Sequence, residues 1–211
     1  MNKIKDELQY IIFGDGQDGQ TSQLKKVQRF LSTNAETSFT TEKQQQFKIE
    51  EAAKLLAFVK QENLFYTPVI SPADFISEGA EQKVYRLDGI YVLKTNAGVF
   101  YECWKDYFNS LLIHNYFFPA TAYIFLGFKI IDFELHAVVK QEFIVTSEST
   151  DLTAVKEFLR FNNFKNIRNN DYINSELGLI FEDLHDENVL CKDGILFFID
   201  TVFYLTPDFY V

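Results

Sequence analysis

Cysteine is nearly absent from this chain. Cys103 and Cys191 are the only two, too few for a disulfide framework, and they read as reduced structural thiols of a cytoplasmic protein. Proline is scarce too, at four in 211 residues. Pro68 and Pro72 lie close together and mark a boundary. No uninterrupted apolar run reaches the roughly 18 residues of a membrane span. The N-terminal MNKIKDELQY lacks the apolar core and small-residue cleavage site of a signal peptide. No membrane partner is therefore expected. Positive charge is also in deficit, with a formal net charge of −10. Residues 1–70 carry nine basic and nine acidic side chains, and residues 71–211 carry eleven and twenty-one. An acidic body argues against broad contact with nucleic-acid phosphates, so no nucleic-acid partner is expected. It remains compatible with a hard cation, which takes carboxylate oxygens.

What the chain has is aromatic bulk. Hydrophobic residues make up 47%, with 23 Phe and 11 Tyr, enough for a packed core. Residues 1–66 read as helical. Ile4 to Phe13 is apolar-rich, Leu24, Val27, Phe30 and Leu31 recur at helical spacing, and Ile49 to Leu64 continues the pattern. Thr41 with Gln44 resembles a capping box. Asp15 and Asp18 in the loop GDGQDGQ do not have the spacing of a twelve-residue calcium loop, so a solvated turn is expected there.

From Asp74 the period changes to that of strands. Phe75–Ser77, Lys83–Leu87 and Ile90–Thr95 are short and rich in aromatic and β-branched residues, with Asp88-Gly89 as a hairpin turn. Val99 to Phe117 reads as a helix ended by Pro119. Strands over Tyr123–Ile130 and Glu134–Ile144 follow, then a polar connector and a helix capped by Thr150 or Asp151 and running to Phe161. Beyond it come a loop-rich stretch and a short helix near Tyr172–Leu177.

The residues with chemistry cluster late. LIFEDLHDENVLCKDGILFFID holds Asp183, Leu184, Glu187 and Asn188, then the Asp193-Gly194 turn, then a strand ending at Asp200. A loop presenting one carboxylate, with a hairpin returning a second beside an amide, suits magnesium, which prefers a few such oxygens plus phosphates and water. The bland alternative is a run of solvated acids between two buried strands. A metal site made from His185, Asp186 and Glu187 is disfavoured, because consecutive residues rarely converge on one ion.

This order resembles the D-L-x-x-x-N and metal-binding Asp of protein-kinase-like phosphotransferases. Further phrases extend the likeness in the right sequence. SEGAEQKVY fits the nucleotide loop only at Gly79 and Val84, and a hairpin turn with one glycine is its plain reading. YVLK ends in Lys94, LLIHNYFFPATAYIFLGF is an aromatic helix and strand, and AVVKQEFI leads to a hinge. Together, over about Phe75 to Leu205, they resemble the serine/threonine/tyrosine-kinase-like domain of polyvalent proteins of phages and conjugative elements. The resemblance implies an α+β, protein-kinase-like two-lobe fold with a helical N-terminal extension at 1–70. The kinase-like core would be 71–211, with an N-lobe near 74–144 and a truncated C-lobe near 150–211.

It implies ATP and magnesium as cofactors. Asp183 would be the catalytic base, and Lys94 would hold phosphates. Gly79, Val84, Glu142, Phe143 and Ile144 would lie around the nucleotide, and Asn188 and Asp200 would bind metal. Glu102 is the candidate partner of Lys94. The acceptor would be a Ser, Thr or Tyr hydroxyl of a protein, and the setting a mobile element. Departures leave alternatives open. Glu182 replaces the usual Arg, Thr201-Val202 replaces Phe-Gly, and His185 gives a D-L-H opening like that of aminoglycoside- and choline-type kinases. Only eleven residues follow Asp200, which leaves no room for an activation segment. A small-molecule kinase and a pseudokinase binding module are therefore the other two readings.

Overall fold

The computed structural model describes residues 3–14, 21–33, 41–79 and 82–211. The GDGQDGQ acids Asp15 and Asp18, and the side chains of Thr41 and Gln44, lie outside the described residues. The described chain is mixed α+β, with five α-helices and three antiparallel sheets. It divides into two compact units. One comprises residues 16–108 and 123–143; the other comprises 1–15, 109–122 and 144–211.

The first unit is built on a five-stranded sheet of β1 (Phe75–Glu78), β2 (Gln82–Arg86), β3 (Tyr91–Asn96), β4 (Ile124–Ile131) and β5 (Glu134–Glu142), in the order β1-β2-β3-β5-β4. β3 is buried along nearly its whole length, which fits its β-branched and apolar residues at a central position. Helices α2 (Thr21–Thr33) and α3 (Thr41–Gln61) belong to this unit. Phe30 of α2 stacks on Phe58 of α3 at 4.0 Å. After α3 the chain runs beside β4, where Tyr66 N–H donates to the Phe128 carbonyl and Phe128 N–H to the Leu64 carbonyl. Gly127 permits this approach. Its φ is +134°, and an added Cβ would lie 2.5 Å from the Leu64 carbonyl oxygen.

The fourth helix begins later than its sequence suggests. α4 spans Trp104–Phe117, so Val99 to Cys103 is not helical, and Phe100 is exposed. Local bonds account for the delay. Gly98 takes φ +66° and its N–H is captured by Asn96 Oδ1. Lys48 Nζ donates to the carbonyls of Val99 and Tyr101, which ties the segment to α3. The helix starts where Glu51 Oε2 accepts the Trp104 N–H at 2.7 Å, an N-cap supplied by another helix.

The second unit contains α1 (Lys3–Phe13), α5 (Leu152–Phe161), a hairpin of β9 (Val189–Lys192) and β10 (Ile195–Phe198), and a four-stranded sheet. That sheet runs β11-β8-β7-β6, from β11 (Val202–Leu205) and β8 (Leu179–Glu182) to β7 (Asp171–Asn174) and β6 (Lys165–Arg168). Asp151 caps α5 by accepting from Thr153 N–H. The short helix expected near Tyr172–Leu177 is absent. Lys165–Arg168 and Asp171–Asn174 instead form a hairpin. Asn169, at φ +44°, makes its turn, and asparagine tolerates that left-handed geometry. Phe118, Phe181, Phe198 and Phe203 stack through one aromatic core, with Phe181 and Phe203 at 4.1 Å. α1 fastens the C-terminal turn, as Lys5 Nζ donates to the carbonyls of Asp208 and Val211. No helix among the described residues is long and apolar enough to cross a membrane.

Candidate functional site

The loop after β8 is where predicted residues meet. Asp183 has a φ of +64°, a left-handed conformation that aspartate adopts more readily than most residues. Its N–H donates to Asp171 Oδ1 at 3.2 Å. Asn188 Nδ2 donates to the Asp183 carbonyl at 2.9 Å and to its Oδ2 at 2.8 Å. His185 Nδ1 faces the Glu187 N–H at 3.3 Å. Its Nε2 lies 3.3 Å from Asp183 Oδ1 and 3.0 Å from Asn188 Nδ2. Asp183 is thus exposed at the surface yet oriented by an amide, an imidazole and a neighbouring carboxylate.

Asp200 returns to the same loop through the β9–β10 hairpin. The N–H groups of Ile199 and Asp200 converge on the Asn188 carbonyl at 2.9 and 3.4 Å. The turn is Asp193-Gly194, both at positive φ, as a tight hairpin requires. The connector after β5 is tied to that hairpin, because Glu148 Oε1 accepts from Gly194 N–H and Cys191 Sγ. These bonds hold the Glu148 carboxyl below its usual range.

The electrostatics of the loop are one-sided. Burial, and then Asp171 and Asp183, push the Glu182 carboxyl up from its ordinary value. A divalent cation would offset that accumulation of negative charge. The donor set fits magnesium. Nδ2 of Asn188 donates to Asp183, so the Asn188 Oδ1 and the Asp200 carboxylate are the hard oxygens of the type that this cation takes. Among the described residues no group of three or more His, Cys, Asp and Glu forms a metal cluster by itself.

Behind Asp200 is a buried polar network centred on His114. His114 is fully buried. Its Nε2 faces the Thr121 carbonyl at 2.8 Å and its Nδ1 faces Thr201 Oγ1 at 2.6 Å. Thr121 Oγ1 donates to the Phe198 carbonyl, and Ser110 Oγ accepts the Phe203 N–H. Asp171, which holds the Asp183 amide, went unnoticed. Its role depends on a contact twelve residues away, and no local motif signals it.

The remaining predicted residues lie in the first unit, except Ile144. Lys94 is buried on β3, paired with Val84 across the β2–β3 ladder, with Nζ 5.5 Å from the Tyr123 ring centroid. Gly79 N–H donates to the Gln82 carbonyl, and an added Cβ would meet nothing closer than 4.0 Å. Glu142 ends β5, and Phe143 N–H is bonded to the Ile90 carbonyl. Glu102 is exposed, stands before α4 and forms no ion pair among the described residues. An apolar cavity of about 550 Å³ is bounded by Ile49, Ala52, Leu56, Trp104 and Leu135, and none of the predicted site residues lines it.

No curated protein and no solved structure matches the chain. A family model does, that of the serine/threonine/tyrosine kinase found in polyvalent proteins, over residues 48–207. The match takes in most of α3, upstream of the Phe75 start read from the sequence phrases, and extends past the loop, the hairpin and Asp200. With that span, the chain belongs to the serine/threonine/tyrosine kinase family of polyvalent proteins.

Proposed function

We propose that the chain is an ATP- and magnesium-dependent phosphotransferase that transfers to a protein hydroxyl. The observation that carries this reading is the loop geometry. Asn188 is bonded through its side chain to Asp183 and through its carbonyl to the Asp200 amide, so a base and two metal ligands share one scaffold. In this reading the five-stranded unit serves as an N-lobe near residues 74–144. Residues 150–211 supply what this chain has of a C-lobe, and the helical residues 1–70 extend the fold. Lys94 holds phosphates, with Gly79, Val84, Glu142, Phe143 and Ile144 around the nucleotide. Asn188 and Asp200 hold magnesium, which neutralises phosphate charge when bound. The acceptor hydroxyl attacks the γ-phosphorus, the bond to the β-phosphate oxygen breaks, and its electron pair leaves on the diphosphate. The hydroxyl proton passes to the Asp183 carboxylate.

A second reading, nucleotide binding without transfer, is favoured by the nucleotide loop, which fits the kinase pattern only at Gly79 and Val84. The experiment that separates them has two steps. ATP with magnesium should raise the melting temperature, and Asp200→Ala should abolish the shift. Radiolabel should pass from ATP to protein, and Asp183→Ala should stop the transfer while keeping the melting shift. A melting shift with no transfer to any acceptor would select the second reading. No shift at all would overturn both.

A further inference from the structure

The four-stranded sheet ends on β6, whose other side pairs with no strand among the described residues, and all four residues Lys165–Arg168 are exposed. We propose that this edge receives the acceptor: an extended, acidic stretch of protein that adds as a fifth strand and brings its hydroxyl to Asp183. The proposal rests on the phosphotransferase reading and narrows its substrate class.

Position is the first argument. Arg168 pairs with Asp171 across the hairpin, and Asp171 Oδ1 accepts the Asp183 N–H. The Asn170 carbonyl accepts the Leu184 N–H at 3.2 Å. The turn end of the hairpin is therefore bonded to the loop that carries the base. An added strand would lie about 4.8 Å from β6 and advance about 3.3 Å per residue. Three such spacings, about 14 Å, separate the added strand from the end of β8, so a segment leaving the edge at Arg168 needs about four or five residues to arrive at Asp183.

Charge is the second. Residues 156–168 carry four basic and one acidic side chain, in a chain of net charge −10. Lys156, Arg160, Lys165 and Arg168 are all exposed, and among the described residues none of them forms an ion pair. The local field is opposite to that of the body and selects an acidic partner.

The edge also discriminates. Its register is irregular between Asn166 and Arg168, and its two cations repel their equivalents, so β6 of a second copy is a poor partner. Asp171, Glu182 and Asp183 gather negative charge at the loop itself. The partner's acidic residues thus belong beside Lys165 and Arg168, with uncharged residues next to the acceptor. A strand edge bonds through backbone amides, which favours a peptide over a nucleic acid of the same charge.

The test is fluorescence anisotropy with the full chain. Its probes are a short serine peptide with an acidic run separated from the serine by about four uncharged residues, and the same peptide with lysines in that run. The acidic peptide should bind more tightly. The double reversal Lys165→Glu with Arg168→Glu should weaken it about tenfold or more and turn the preference toward the lysine peptide. A circular-dichroism melt checks that the double variant is folded; if it is not, Lys165→Ser and Arg168→Ser individually should each weaken binding. Equal affinity for the two peptides, unchanged affinity in the folded variants, or displacement of the acidic peptide by a single-stranded oligonucleotide at equal concentration would overturn the proposal. The melting shift of the unsubstituted chain with ATP and magnesium is read separately. Its absence would overturn the phosphotransferase reading while peptide selectivity still reports on the edge.

Discussion

Nδ1 of His114 lies 2.6 Å from Oγ1 of Thr201, the residue that follows Asp200. Because Nε2 faces the Thr121 carbonyl, Nε2 carries the proton and the Thr201 hydroxyl donates to Nδ1. One imidazole from α4 thereby fixes the chain on the C-terminal side of Asp200, while the Asn188 carbonyl fixes it at the amide. Where protein kinases have Phe after the metal Asp, this chain anchors the position with a polar contact.

His114→Leu should remove both ring hydrogen bonds, to the Thr121 carbonyl and to the Thr201 hydroxyl, inside the core. The expected loss is about 2–4 kcal/mol by chemical denaturation. Thr201→Val removes one bond and should cost about 1–2 kcal/mol. In the double variant the two losses should not add. Additive losses would show that the contact carries no coupling.

Asp171→Asn keeps an oxygen near the Asp183 amide but removes a charge beside Glu182. The Glu182 carboxyl should titrate closer to its usual range, though still above it, because burial is the leading cause of its shift. Carboxyl-detected NMR titration reads this. An unmoved Glu182 would mean that Asp171 does not act on it.

Glu51 predicts a pH dependence. Burial holds its carboxyl above the usual range, partly offset by the N–H groups of Trp104 and Lys105, and its Oε1 has no hydrogen-bond partner. A raised folded pKa means that the stabilising contribution is full below about pH 4.5 and is lost as the pH rises through the folded value. Relative to Glu51→Gln, the wild-type chain should lose stability on going from pH 4 to pH 7. A constant difference across that range would contradict this.

Two glycines should behave oppositely. Gly127→Ala meets the Leu64 carbonyl at 2.5 Å on a positive φ and should cost about 2 kcal/mol or more. Gly79→Ala has open space and should melt within about 2 °C of wild type. A destabilised Gly79→Ala would show that the turn needs the glycine backbone.

Much of the fold was legible because its signals are local. Alternation marked β1 to β5, Asp151 marked the start of α5, and Asp193-Gly194 marked the β9–β10 turn. Two errors have nonlocal causes. α4 was started too early because Lys48 and Glu51, about fifty residues upstream, decide where it begins. The β6–β7 hairpin was missed because KNIRNNDYIN is polar and short, and its strand state comes from pairing with β8 rather than from its own pattern.

The sequence by itself determined the order of chemical groups: Lys94 on a strand, then Asp183, Asn188 and Asp200 at fixed separations, since motif spacing is a property of the chain. Only the tertiary structure decided what orients them. Asp171 on the Asp183 amide, His114 behind Asp200, Glu51 at the head of α4 and the basic edge of β6 each join residues distant in sequence. Such contacts depend on which buried polar groups find partners once the core has closed, and no local pattern encodes that.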